Sequence, residues 1–389
     1  MSRPAAKASM DAVTLVDDLL VRAVGQRASD VHFEPGAAGL LIRFRIDGVL
    51  QDVDRLPGTV AENVVARLKV LAGLLTYRVD VPQEGSFLLE ASAEGLEHRP
   101  DVRIATFPTI HGERAVARFL YGYGRVTDLY ELGLADDCVG RLREAAARPD
   151  GLMLVTGPAG AGKSTTLYAI ARHILAVTPG RSVVSLEDPV EQRVEGMTQI
   201  QVQPYGELNY VRAMRSLLRQ DVQVLLVGEI RDAETAHLVT EAALTGHLVL
   251  STLHSGDPAE AIARLIEMGI APYQVVSALS LVSSQRLLRE VCGDCRGTGC
   301  ETCNGIGYRG RTACAHVATM NEALRAAVLT HAPTSELRRI VAEGGTDLLT
   351  DARRLLAAGL TNEAEVKRVL GHCDANQDDN SCPGLNTKA

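Results

Sequence analysis

Residues 157–164 read Gly-Pro-Ala-Gly-Ala-Gly-Lys-Ser, which satisfies the G-x-x-x-x-G-K-[ST] spacing of a phosphate-binding loop. The chemistry of such a loop is anion capture. Its glycines let backbone N–H groups turn inward around phosphate oxygens, at the positive end of a helix dipole. The flanks suit it, because Gly151 to Thr156 is an apolar run of strand type and Thr165 to Leu175 reads as a helix. The expected nucleotide-binding set is Gly157, Pro158, Ala159, Gly160, Ala161, Gly162, Lys163, Ser164 and Thr165. Within it Lys163 is expected to reach the β- and γ-phosphates and the Ser164 hydroxyl to hold Mg²⁺. The loop therefore predicts binding of ATP or GTP.

Val224-Leu225-Leu226-Val227-Gly228-Glu229 is an apolar strand ending in an acid. At the C-terminal edge of a parallel sheet, Glu229 would lie beside the phosphate loop and polarise water or hold Mg²⁺. Val183 to Glu191 is a second such run, with Glu187 and Asp188 adjacent. Adjacent acids repel unless a cation or solvent relieves them, so this run predicts Mg²⁺ or water positioning. His247 and His254 bracket another strand-like run and are candidates for sensing a γ-phosphate.

A different chemistry lies further on, at Cys292-x2-Cys295-x4-Cys300-x2-Cys303. Two C-x-x-C knuckles place four thiolates tetrahedrally around Zn²⁺ and close its coordination shell, which makes the metal structural. Gly293, Gly297, Gly299, Gly305 and Gly307 permit the tight turns. The other cysteines, Cys138, Cys314, Cys373 and Cys382, are scattered. Arg103, Arg114 and Arg118 fall on strand-like runs, where the residues alone do not separate a functional charge from a solvated one.

These groups need elements to hold them. The chain has 389 residues, too many for one core, with 46% hydrophobic and 23% charged. Trp is absent and aromatics are 4%, so the cores are Leu, Val, Ile and Ala. A net charge of −8 argues against a dedicated nucleic-acid binder. No run is long enough for a transmembrane helix and no signal peptide opens the chain, so a cytosolic protein is expected, with membrane contact only through partners.

Residues 1–12 read as a disordered start. Val13 to Val24 has helical spacing, strands are expected at Ser29–Glu34, Gly39–Asp47 and Val49–Val53, and Asp47-Gly48 is a hairpin-turn dipeptide. A helix over Val60–Leu74 and strands at Ser86–Glu90, Asp101–Thr106 and Arg114–Phe119 complete a small α+β domain, 13–123. A linker, 124–135, leads to an α/β domain, 136–371, with a mostly parallel sheet. Residues 372–389 read as a disordered tail.

With those residues in hand, the chain resembles the secretion-superfamily ATPases that power type II secretion and type IV pili. The resemblance rests on Ala28-Ser29-Asp30-Val31-His32-Phe33-Glu34-Pro35, Arg43-Phe44-Arg45-Ile46-Asp47-Gly48, the phosphate loop, Glu187-Asp188-Pro189-Val190-Glu191, Leu217-Leu218-Arg219-Gln220-Asp221, Val227-Gly228-Glu229-Ile230-Arg231-Asp232 and the two-histidine run. It implies a PAS-like N-terminal domain, a RecA-like P-loop motor domain with a zinc-binding subdomain, and a homo-hexameric ring. It further implies Mg²⁺ with ATP, an inner-membrane platform protein as partner, and arginines of the small domain completing a neighbour's nucleotide site. By motif match those are Arg103 and Arg118, with Glu229 positioning water, Glu187 assisting and His254 completing the catalytic set. The cysteine cluster resembles the assembly branch rather than the retraction motors. The motif region at Ala28-Ser29-Asp30 comes early in the sequence, so the extra N-terminal domain usual in assembly ATPases is not expected here. Ser86 stands where the family has Arg, and Gln223 where it has an acid. The alternatives are a retraction motor and a catalytically weak, nucleotide-gated scaffold.

Overall fold

The computed structural model describes residues 11–90, 100–121, 126, 128–203 and 206–371. The tail with Cys373 and Cys382, residues 1–10 of the expected start, and 124, 125 and 127 of the expected linker lie outside the described residues.

The N-terminal part is one six-stranded sheet with two helices. α1 (Ala12–Gly25) precedes β1 (Asp30–Gly36), β2 (Gly39–Ile46) and β3 (Val49–Leu56), and α2 (Gly58–Leu71) precedes β4 (Gln83–Leu88), β5 (Asp101–Thr109) and β6 (Gly112–Leu120). The strand order is β3-β2-β1-β6-β5-β4. The helix reaches into the expected disordered start, since Ala12 already belongs to α1. Period-two alternation aims β2: Leu40, Ile42, Phe44 and Ile46 are buried, while Leu41, Arg43 and Arg45 are half-exposed. Phe33 and Phe44 are fully buried, and each contributes on the order of 2 kcal/mol by removing apolar surface from water. Asp47 (φ 47°) and Gly48 (φ 84°) are both left-handed, as a two-residue I′ hairpin requires.

The C-terminal part is built on a seven-stranded sheet. Its strands are β7 (Gly151–Thr156), β8 (Val183–Glu187), β9 (Thr198–Gln201), β10 (Val224–Val227), β11 (Leu248–Leu253), β12 (Leu279–Val291) and β13 (Tyr308–Thr319), in the order β13-β12-β7-β11-β10-β8-β9. Among the described residues, only the β12–β13 pairing of this sheet is antiparallel. The helices between are α3 (Asp136–Ala146), α4 (Lys163–Val177), α5 (Tyr210–Leu217), α6 (Ala233–Leu244), α7 (Pro258–Glu267) and α8 (Pro272–Ala278). Four more follow β13: α9 (Glu322–Leu329), α10 (Thr334–Glu343), α11 (Leu348–Ala357) and α12 (Glu363–Leu370). The strands β7, β8, β10 and β11 are buried at every position, as expected for a sheet covered on both faces. Among the described residues no helix is long and apolar enough to cross a membrane.

Two features differ from the sequence expectation. Leu129–Leu132, inside the expected linker, is a 3-10 turn capped by Asp128, with Leu129 and Leu132 buried in the larger core. The second is the long ribbon β12–β13, which no apolar pattern announced. Ser280, Ser283, Ser284 and Gln285 are buried in β12, so polar residues interrupt the run that would have marked a strand.

Candidate functional site

The phosphate loop opens α4 directly from β7, and its shape is dictated by glycine. Gly157 (φ 145°), Gly160 (φ 75°) and Gly162 (φ 84°) hold conformations that side chains disfavour. A Cβ on Gly157 would meet the Gln285 carbonyl at 2.5 Å, and one on Gly162 would meet Gln285 Nε2 at 2.8 Å. β12 is therefore the wall behind the loop. Gln285 Nε2 donates to the Ala161 carbonyl at 2.7 Å and Gln285 Oε1 accepts from Thr166 Oγ1 at 2.8 Å. Thr156 and Ser284 hydroxyls meet at 2.6 Å. Lys163 Nζ donates to the carbonyls of Gly157 (2.9 Å) and Pro158 (3.0 Å), so its ammonium stays inside the loop's own curve. Burial pulls the Lys163 ammonium below its usual pKa, against the raising effect of Glu229.

Glu229 stands just past the end of β10, on the same sheet edge. It accepts from Arg231 Nε at 2.6 Å, and His254 Nε2 lies 3.5 Å from its other oxygen. Burial and the neighbouring Lys163 push His254 below its usual pKa, which leaves the imidazole neutral at pH 7. His247 is elsewhere. It caps the far end of β11 against the Ala242 carbonyl (3.0 Å), about 20 Å from His254 at strand rise. The expectation that both histidines sense one phosphate therefore holds for His254 only as a matter of placement.

Glu187, at the end of β8, is buried with three donors on it. Ser185 Oγ donates at 2.5 Å, Gln199 Nε2 at 3.1 Å, and the Tyr168 hydroxyl donates as well. Burial and the Glu187 charge push the Tyr168 phenol up, so it stays a donor. The acid whose carboxyl feels the loop hydroxyl of Ser164 is instead Glu191. Burial, helped by the Glu187 charge, pushes the Glu191 carboxyl up, while Ser164 and the Arg118 and Lys163 charges oppose it.

Arg103 and Arg118 are cross-strand partners on β5 and β6. Arg103 pairs with Glu84 at 3.0 Å, and Arg118 Nε donates to Asp30 at 2.8 Å while the side chain stays 65% exposed. Arg118 is near enough for its charge to act on Glu191 of the same chain. Arg114 joins His32 and Glu34 at 3.1 and 3.2 Å.

The cysteine cluster lies in the loop joining β12 to β13. The four Sγ atoms lie within 4.8 Å of one another, with separations of 3.7–3.8 Å among the closest pairs. A tetrahedron with Zn–S near 2.3 Å has S···S edges of roughly 3.8 Å, so the set fits a tetrahedral thiolate metal. Backbone N–H groups of Gly299, Cys300 and Gly307 donate to the sulfurs at 3.2 Å. Burial opposes ionisation of Cys303, but the Cys300 and Gly307 N–H groups and the neighbouring Cys295 and Cys300 thiols hold its thiol down to about 6. The loop closes because glycines face each other: a Cβ on Gly299 would meet the Gly305 carbonyl at 2.6 Å, and one on Gly307 the Gly297 carbonyl at 2.4 Å. Cys314 is apart from the set, buried in β13 with its thiol pushed up to about 12.

Sequence reasoning missed Glu191 as a site residue, Tyr168, Gln285 and Arg286. Glu191 was visible four residues after Glu187, but only the fold brings it to Ser164. Gln285 and Arg286 sit in a strand whose polar content hid it.

A strand, glycine loop and helix carrying Lys163 and Ser164, with an acid delivered from a parallel strand two positions along the same sheet, define a P-loop nucleotide-binding protein. A model of the Type II/IV secretion system protein family matches residues 6–368, and the chain belongs to that family. It is 39% identical over 382 residues to the type II secretion system protein E of Dickeya dadantii (strain 3937), covering 92% of this chain and 75% of that protein. It is 37% identical over 379 residues to the type IV pilus assembly ATPase PilB of Thermus thermophilus, covering 90% of this chain but only 42% of that protein's length. The X-ray structure of the Legionella pneumophila ATPase DotB superposes with a TM-score of 0.70 at 24% identity, covering 91% of this chain and 95% of that one, a likeness of fold.

Proposed function

We propose that this chain is a cytoplasmic ATPase motor that powers type II secretion or type IV pilus assembly, working as a homo-hexamer on an inner-membrane platform protein. The observation that carries the reading is the convergence of Lys163, Ser164, Glu229 and His254 at one edge of the parallel sheet, in a chain of the family whose relatives bear those names. In this reading residues 136–371 are a RecA-like motor, 13–123 a PAS-like domain, 124–135 the segment between them, and Cys292, Cys295, Cys300 and Cys303 hold a structural Zn²⁺.

Hydrolysis requires water to attack the γ-phosphorus and the bond to the β-bridging oxygen to break. The loop N–H groups and Lys163 hold the phosphates and offset their charge. Glu229 orients the water, and neutral His254, 3.5 Å away, holds Glu229 in place. Mg²⁺ bound with the nucleotide would offset the charge that develops on the phosphates. Ser164 and Glu191 are the groups of this chain that would meet it. Glu187 fixes the floor beneath them through Tyr168 and Gln199. Loss of γ-phosphate contacts lets the two domains rotate and do work.

The resemblance places the small-domain arginines in a neighbour's site. The Arg118 charge acting on Glu191 of its own chain supports action within one subunit instead. Mixed rings of Arg118→Ala and Lys163→Ala subunits should then regain no activity, since each chain lacks one half of its own site. Substantial rescue would restore the neighbour assignment.

Steady-state phosphate release by the purified wild type against Lys163→Ala tests the motor reading. We expect turnover in the wild type and a loss of at least about a hundredfold in the variant. No wild-type turnover in the presence of nucleotide and platform protein would point to the scaffold.

A further inference from the structure

A cavity of about 210 Å³ adjoins the phosphate loop, lined by Gly157, Pro158, His254, Ser255, Gly256 and Arg286. One water needs roughly 10–15 Å³ by the same measure, so there is room for a tetrahedral oxyanion. Arg286 comes from β12, the strand behind the loop. Its guanidinium is oriented by two carbonyls: Nη1 donates to Gln285 at 2.9 Å and Nη2 to Gly256 at 3.1 Å. Those bonds fix the plane of the fork and leave further N–H donors of the five unassigned.

Among the described residues no carboxylate lies within 4.0 Å of this guanidinium. The acidic groups that act on it are the Cys314 thiol, itself pushed up to about 12, and the carboxylates Asp257 and Glu260, both of which are committed. Asp257 caps α7 through the Glu260 N–H (2.8 Å) and pairs with Arg338 at 2.7 Å. Glu260 accepts the Gly256 N–H at 2.5 Å. Burial pulls the Arg286 guanidinium below its usual value, and its charge in turn disfavours the ammonium of Lys163. Arg286 lines the cavity and Lys163 is bonded to the Gly157 and Pro158 carbonyls of its wall, and the two cations repel each other until an anion joins them.

We propose that Arg286 is a phosphate-contacting residue, binding the terminal phosphate of a nucleoside triphosphate held by Lys163 in the same chain. Arginine suits that task because its planar fork meets two phosphate oxygens at once and its charge survives desolvation. The proposal rests on the nucleotide reading above and adds to it a determinant of triphosphate over diphosphate. Arg286 differs from the small-domain arginines in lying on the rigid sheet, so its contact needs no domain closure.

The test is calorimetric titration of the full chain with Mg²⁺-ADP and with the non-hydrolysable β,γ-imido analogue of ATP, for wild type, Arg286→Gln and Arg286→Lys. Loss of a charge-assisted contact predicts that Arg286→Gln weakens the triphosphate analogue about tenfold or more, with ADP changed less than about threefold. Arg286→Lys should fall between. Equal weakening for both nucleotides would show that Arg286 only braces the loop and would overturn the proposal, as would unchanged affinity for both. If Arg286→Gln fails to fold by its melting curve, the same ratio in Arg286→Lys decides, and an unchanged ratio overturns. A wild type that binds neither nucleotide overturns the nucleotide reading itself, and this proposal falls with it.

Discussion

Two glycine-rich loops dominate this molecule, and they use glycine for opposite ends. In the phosphate loop the glycines turn backbone N–H groups toward space that a ligand fills; Gly160 has nothing within 4 Å of where a Cβ would stand. Gly157 and Gly162 instead press the loop onto Gln285, so one side is braced by β12 and the other left open. In the cysteine loop the glycines let the chain meet itself: Gly299 faces Gly305, and Gly307 faces Gly297. The first loop is held by a sheet and waits for an anion. The second has little apolar content to hold it, and four sulfurs take the place of a core. A glycine-rich stretch therefore signals function only when read with what its backbone approaches.

The largest effect should come from breaking the second loop. Structural zinc contributes roughly 10–16 kcal/mol to small metal-folded units, because binding and folding are one event there. Purified wild type should carry one Zn²⁺ per chain by elemental analysis. Cys295→Ser should lose most of it, with amide exchange of residues 292–307 rising sharply while nucleotide binding at Lys163 persists. Loss of nucleotide binding would show that the cysteine loop is integrated with the motor sheet, and less than about half an equivalent of zinc in wild type would remove the metal from the account.

A smaller effect lies at the root of the same ribbon. Glu365 is buried, yet Arg368 and Arg289 hold its carboxyl down to about 2. A carboxyl depressed in the folded state stabilises it above the unfolded value near 4.5 and loses that contribution as pH falls toward 2. The contribution amounts to no more than about 3 kcal/mol. Urea midpoints should fall for wild type between pH 4.5 and 2, and Glu365→Gln should flatten this part of the curve. A variant with the same acid slope would show that other carboxyls set it.

The smallest effects sharpen the contrast between braced and open glycines. Gly162→Ala meets Gln285 Nε2 at 2.8 Å and should cost about 2 kcal/mol, combining left-handed strain with a displaced hydrogen bond. Gly160→Ala meets only the backbone strain and should cost about 1 kcal/mol. The paired substitutions Gly307→Ala and Gly305→Ala should differ in the same direction, read as zinc affinity rather than as stability. Equal costs within each pair would contradict the close approaches described here.

How much of this was legible in the sequence follows from which interactions are local. The loop at 157–164, the strand-end acid Glu229 and the cysteine spacing are local patterns, and each stands where its pattern put it. The hairpin at Asp47-Gly48 was equally plain. β12 and β13 were not, because Ser283, Ser284 and Gln285 are buried polar residues, with Ser284 bonded to Thr156 and Gln285 bracing the loop, and a polar buried strand has no apolar signature. The choice between Glu187 and Glu191 was also hidden. Both acids share one motif, and only the packing of Tyr168, Ser185 and Gln199 shows which is already occupied. The same holds for His247 and His254, which one strand length separates.

The central claim is that the edge carrying Lys163 and Glu229 hydrolyses ATP, with Glu229 acting on water rather than on nucleotide affinity. The direct measurement is ATP binding and steady-state phosphate release on the same preparation of Glu229→Gln. The account predicts ATP affinity within about threefold of wild type and turnover lower by about 10²–10⁴. Turnover close to wild type in a variant that still binds ATP would contradict it and move the water-positioning role to another acid of the site.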